Sequence, residues 1–74
     1  MNKDIFLRYQ GKYLSIGVEN YNRPGCLFNY YGVVEEIHDD GILLKNYDRN
    51  KEYFITYSRI QEFHASGTGH GKKE

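Results

Sequence analysis

Residues 30–46, YYGVVEEIHDDGILLKN, constrain this chain more than any other stretch. Two runs rich in β-forming residues flank His38-Asp39-Asp40-Gly41. Asp-Gly between such runs predicts a β-hairpin, because a tight primed turn needs positive φ and glycine accepts it. The arriving strand is expected over residues 27–37 and the departing strand over 41–47. One alternation does not serve the whole arriving strand. Gly32 and Val34 share a face, Ile37 has the other parity, and Glu35-Glu36 lies between them. A strict period of two would bury one glutamate. A β-bulge near the pair restores the pattern and bends the strand. Gly32 inside the strand points to the same bend. A long strand bent in the middle can serve both halves of a small barrel.

The rest of the chain supplies the other elements. Residues 2–10 predict a short helix: Asn2 can cap it, Ile5, Phe6 and Tyr9 lie on one side, and Gly11 suits a stop. It is too short to stand alone, so it must lie on the barrel; an extended Ile5-Phe6-Leu7 run is the rival reading. Residues 12–19 alternate, with Leu14, Ile16 and Val18 on one face, and predict a first strand. Residues 20–26, NYNRPGC, form a loop with a Pro-Gly turn and with Tyr21 and Arg23 exposed. Asp48-Arg49-Asn50 is a turn. Residues 51–57 predict a fourth strand with Tyr53, Ile55 and Tyr57 on one face. Ser58-Arg59 breaks the alternation, and residues 60–63 form a short fifth strand with Ile60 inward. The fold class is therefore all-β: a small five-stranded SH3-like or Sm-like barrel with a short N-terminal helix. Residues 1–64 make the barrel, and residues 65–74, ASGTGHGKKE, read as a disordered tail.

Composition excludes several classes of function. Ten Lys+Arg balance 10 Asp+Glu, so no global field attracts nucleic acid or an anionic membrane, and any basic patch must be local. One cysteine, Cys26, permits no intrachain disulfide. No apolar run approaches the about 20 residues of a membrane span, and the N-terminus lacks a signal-peptide core. The expectation is a cytoplasmic protein with no membrane contact.

The order of short helix, five strands and bent second strand resembles the Sm-like fold, which includes bacterial Hfq. The residues that carry the resemblance are Gly32, Val34 and Ile37, then Ile42, Leu43 and Leu44, and finally Ile60. GVVEEIHDDGILLKN is similar in spacing to the first Sm signature. His38 stands where the family usually has Asp, and Asp40 falls where Hfq supplies a stacking aromatic. The second signature falls on Tyr57-Ser58, with Arg59 beside it. The resemblance implies an RNA-binding or RNA-chaperone-like module, with single-stranded RNA as partner. The residues placed at its contacts are Asp40, Lys45, Tyr57, Ser58 and Arg59. It also implies a cyclic homo-oligomer in which strand four of one subunit pairs with strand five of the next. Tyr53, Ile55, Tyr57, Ile60 and Phe63 are the expected interface residues. The alternative is a non-catalytic SH3-like protein-interaction or structural domain that binds no nucleic acid.

No constellation supports catalysis, and no cofactor or metal is expected. His38, Asp39 and Asp40 could ligate a metal, but no second cluster has ligand spacing, and a solvated turn explains them. Glu35 and Glu36 face opposite ways on a regular strand, so they read as a solvated bulge rather than paired acids. Cys26 reads as an ordinary half-buried thiol. Gly67, Gly69 and Gly71 lack the strand-to-helix context of a phosphate loop. The eight tyrosines are more informative. Tyr21, Tyr30, Tyr31, Tyr47, Tyr53 and Tyr57 cannot all enter so small a core. Exposed rings beside Arg23, Arg49, Lys51 and Arg59 would make a stacking surface for single-stranded nucleic acid or a protein interface, or else simply cover a thin barrel with their hydroxyls in water.

Overall fold

The computed structural model describes residues 1–65. Its elements are a helix α1 (Lys3–Phe6), a 3₁₀ turn (Leu7–Tyr9), β1 (Tyr13–Glu19), β2 (Leu27–Ile37), β3 (Gly41–Asn46), β4 (Lys51–Thr56), a second 3₁₀ turn (Tyr57–Arg59) and β5 (Ile60–Ala65). All five strands pair antiparallel in one sheet, in the order β4-β3-β2-β1-β5. The expected all-β, barrel-like fold with a short N-terminal helix is what the chain adopts. β5 runs two residues past its expected end, and the rest of the expected tail, 66–74, lies outside the described residues.

β2 carries the bend. Its register against β3 runs Val33↔Lys45, Val34↔Leu44, Glu36↔Leu43, so Glu35 is the extra residue of a bulge. Val34 thereby faces the core and Ile37 packs against it, while Glu36 stays exposed. The glutamate pair marked that place in the sequence. The core lies on the inner face of the sheet: Leu14, Ile16 and Val18 from β1, Val34 from β2, Ile42 and Leu44 from β3, and Ile55 and Ile60 near the closing end. Gly41 does not have the positive φ expected of it; among the described glycines Gly11 and Gly25 do. Its lack of a side chain answers to space, because a Cβ there would lie 2.5 Å from the Ile55 carbonyl oxygen.

The N-terminal segment plugs one end of the barrel. Asn2 caps α1 by accepting the Ile5 amide at 3.3 Å, as its position implies. The α-helix is only four residues long, not the nine expected, and continues as 3₁₀. The reason is the spacing of its anchors. Phe6 and Tyr9 are three apart, which a 3₁₀ turn stacks on one face, and Ile5 is left outside. The Phe6 ring stacks on Tyr57 at 5.7 Å and meets Phe63 at 4.9 Å; Tyr9 meets Phe63 edge-on at 5.2 Å. The Lys3 ammonium pairs with Asp39 at 2.8 Å and ties the helix to the β2–β3 turn. Gly11 ends the segment with φ 80°.

Candidate functional site

The residues that the Sm resemblance places at RNA contacts do not form one surface. Tyr57 ends β4 instead of continuing it, and its ring turns into the core at 6% exposure. Its hydroxyl donates to the His38 carbonyl at 2.6 Å, and its amide donates to the Asp40 carbonyl at 3.0 Å. Burial raises its pKa above the ordinary tyrosine value. A ring so held cannot stack on a base. Asp40 and Ser58 are exposed nearby, and Arg59 is half-buried. Lys45 lies four residues along β3 from Gly41, roughly 13 Å away at the usual rise per residue. There it faces Glu52 at 3.9 Å and sits over the Tyr47 ring at 5.2 Å.

The five expected interface residues divide in the same way. Ile55, Tyr57 and Ile60 are buried in the subunit's own core, and Tyr53 and Phe63 are half-buried against it. Their side chains are largely committed within one chain. What remains for a neighbour is the main chain of β4 and β5, the two ends of the sheet order.

The aromatic residues do gather elsewhere. Phe28 and Tyr30 share the parity of Gly32 and Val34, so they continue the inner face past the end of β3. Phe28 meets Tyr30 at 5.0 Å, and Tyr30 meets Tyr53 of β4 at 4.8 Å. These three rings form a row along the open side of the barrel, with Phe28 half exposed. A shallow depression lies on each side of it. One holds Arg59, Tyr21 and the loop residues Asn20 and Asn22, with Glu19 at its rim. The other holds Arg49, Asn46 and Tyr31. Neither arginine belongs to an ion pair; the four pairs among the described residues are Lys3–Asp39, His38–Glu36, Lys45–Glu52 and His64–Glu62. Phe28 was missed in the sequence. Its parity with Val34 was the available signal, but that signal needs the point at which β3 stops.

Tyr21, Tyr31 and Tyr47 are exposed, in accord with the excess of rings over core. Tyr47 donates a hydrogen bond to Glu35, which raises its pKa. Cys26 is exposed rather than half-buried, because its loop folds on its own bonds: the Asn20 amide donates to Cys26 and the Cys26 amide to Arg23. His38 meets Glu36 at 2.8 Å and no third ligand joins them; no group of three metal-binding side chains occurs among the described residues. No helix among those residues is long and apolar enough to cross a membrane.

Comparison with protein-family models, with curated proteins and with solved structures returns no match.

Proposed function

We propose that this chain is a non-catalytic, Sm-like module that assembles into a ring and holds single-stranded RNA on its aromatic row. The observation that carries the assembly is the sheet order, which among the described residues leaves β4 and β5 both unpaired on their outer sides. Two open edges on one small barrel invite strand addition, and a contact between unlike edges must close into a ring or run on as a fibre. RNA would stack on Phe28, Tyr30 and Tyr53, with Arg49 and Arg59 as unpaired cations for its phosphates. This moves the RNA contact away from Asp40 and Tyr57. The formal charge balance and Glu19 beside Arg59 favour a second reading, a protein-interaction domain.

The assembly has a clean test in Thr56→Pro. The bond from the Tyr57 amide to Asp40 sets the phase of the β3–β4 ladder. Antiparallel pairs alternate, so Thr56, opposite Gly41, points its N–H away from β3. Its φ is −73°, within the range that proline fixes. The substitution therefore removes an edge donor while keeping the fold. Light scattering on wild type is expected to give a multiple of the 8.8 kDa chain, and Thr56→Pro a smaller species with unchanged circular dichroism. A wild-type monomer at high micromolar concentration would remove the ring.

RNA contact is tested separately. Labelled U-rich and A-rich oligonucleotides should bind at low salt by fluorescence anisotropy, and more weakly as salt rises. Phe28→Ala and Arg59→Ala should each weaken binding roughly 5- to 100-fold, the worth of one stacked base. Tyr57→Phe should leave it unchanged. No binding at high micromolar protein would leave the protein-interaction reading in place.

A further inference from the structure

The two halves of β2 differ on their unshared sides. Beyond the bend, the side facing away from β3 is filled. Val34 exchanges main-chain bonds with Gly11 and Lys12 at 2.8 and 3.0 Å, and the Gln10 side chain donates to the Glu35 carbonyl at 2.6 Å. Before the bend, residues 27–32 pair with β1 alone, because the β3 ladder begins only at Val33↔Lys45. The phase of this half is fixed at both ends. The Asn20 amide bonds to the Cys26 carbonyl at one end, and Val34 bonds toward Lys12 at the other. Antiparallel alternation then turns Phe28, Tyr30 and Gly32 toward β1. Leu27, Asn29 and Tyr31 direct their N–H and C=O groups outward, and all three residues are exposed. No strand lies against them among the described residues.

This edge differs in charge from the other two. β4 opens with Lys51 and Glu52, and β5 carries Glu62, in the manner of guarded edges. Leu27-Phe28-Asn29-Tyr30-Tyr31-Gly32 has no charge at all. The phase also fits a strand to its own copy. Running antiparallel about a two-fold axis at Asn29, the outward residues meet as hydrogen-bonded pairs. Asn29 lies opposite Asn29, and Leu27 opposite Tyr31. On the inner face Phe28 lies opposite Tyr30. Amide meets amide, and apolar side chains meet each other; no like charges are brought together. We propose that β2 residues 27–31 form a second, two-fold interface with another copy of this chain. It is separate from the ring contact and joins two barrels edge to edge, so that their two aromatic rows become one.

Cysteine pairing tests the register directly, in a Cys26→Ser background. Asn29→Cys would face its own copy with Cα atoms about 5.5 Å apart, within disulfide range. Tyr31→Cys would face residue 27, with its own copy roughly 13 Å along the strand. Mild oxidation at micromolar protein should convert most of Asn29→Cys to a covalent dimer and leave Tyr31→Cys uncoupled. Both sites are exposed, so neither variant threatens the core. In Thr56→Pro, light scattering should give two chains, and adding Asn29→Lys, which sets like charges opposite each other, should give one. Equal coupling of the two cysteines, or a monomeric Thr56→Pro, would overturn the proposal and leave the edge to a foreign extended peptide. The cysteine pair reports on the β2 contact whether or not the ring forms.

Discussion

Replacing Phe6 by alanine is expected to cost about 3–5 kcal/mol, the range for removing a fully buried aromatic ring. Phe6 is 0% exposed and lies between Tyr57 and Phe63. A helix of four residues has no stability of its own, so this ring is what holds the N-terminal segment on the barrel. Among its other ties, the Lys3–Asp39 pair is exposed and weak, and the Tyr9 ring is only partly buried against Phe63. A domain of this length commands roughly 3–10 kcal/mol in all. Phe6→Ala therefore removes much of it, and urea melts should show a midpoint near zero or a fraction unfolded in buffer. Leu7→Ala, one residue on and 53% exposed, should change stability by less than about 0.5 kcal/mol. If the two variants melt alike, the plug does not belong to the core.

The contrast between Phe6 and Leu7 also shows what the sequence could tell. Phe6 and Tyr9 fit an α-helix and a 3₁₀ turn equally well, since a spacing of three serves both. Only the fit against Tyr57 and Phe63 chooses between them, and those rings come from the far end of the chain. The bend of β2 was legible for the opposite reason. Its signal is local: Val34 and Ile37 demand opposite parities, and the glutamates between them cannot be buried. The strand limits followed from alternation to within two residues. Gly41 was right as a turn glycine and wrong in its cause, because the approach of Ile55 depends on where β4 lies over β3.

The candidate site was less legible. Alternation along β4 puts Tyr57 on the face of Ile55, which is the core face, and it is the Sm resemblance that places its ring at an RNA contact. Its fate is decided by a bond to His38, 19 positions away. Phe28 reads as an ordinary strand residue until the β2–β3 register shows that β3 stops short of it. The Phe28 omission concerns long-range register, which composition and period do not carry. Among the described residues, the place of β4 and β5 at the two ends of the sheet follows from the strand order.

Gly32 offers the second large effect, and its cause can be separated from its neighbours'. A Cβ at Gly32 would lie 2.6 Å from the Lys45 carbonyl oxygen and 2.8 Å from its carbon, with the Asn46 nitrogen at 3.1 Å. All three are main-chain atoms, so no rotamer relieves the clash. The φ of Gly32 is outside the left-handed region, so space alone demands glycine here. Gly32→Val must push β3 off β2 where the strand bends, at a cost of roughly 1–3 kcal/mol for overpacking. At about 4–8 °C per kcal/mol for a domain of this size, the melting temperature should fall by at least several degrees. Gly32→Ala should lose most of the same stability, because the first carbon already collides. Gly17 supplies the comparison. The three atoms nearest a Cβ there all belong to side chains, Glu62 Cγ at 3.0 Å, Leu27 Cδ1 at 3.1 Å and Asn29 Oδ1 at 3.2 Å, and these can move. Gly17→Ala should therefore cost clearly less than Gly32→Ala. Equal losses would mean that the close approach of the Lys45 main chain is not what demands glycine at position 32.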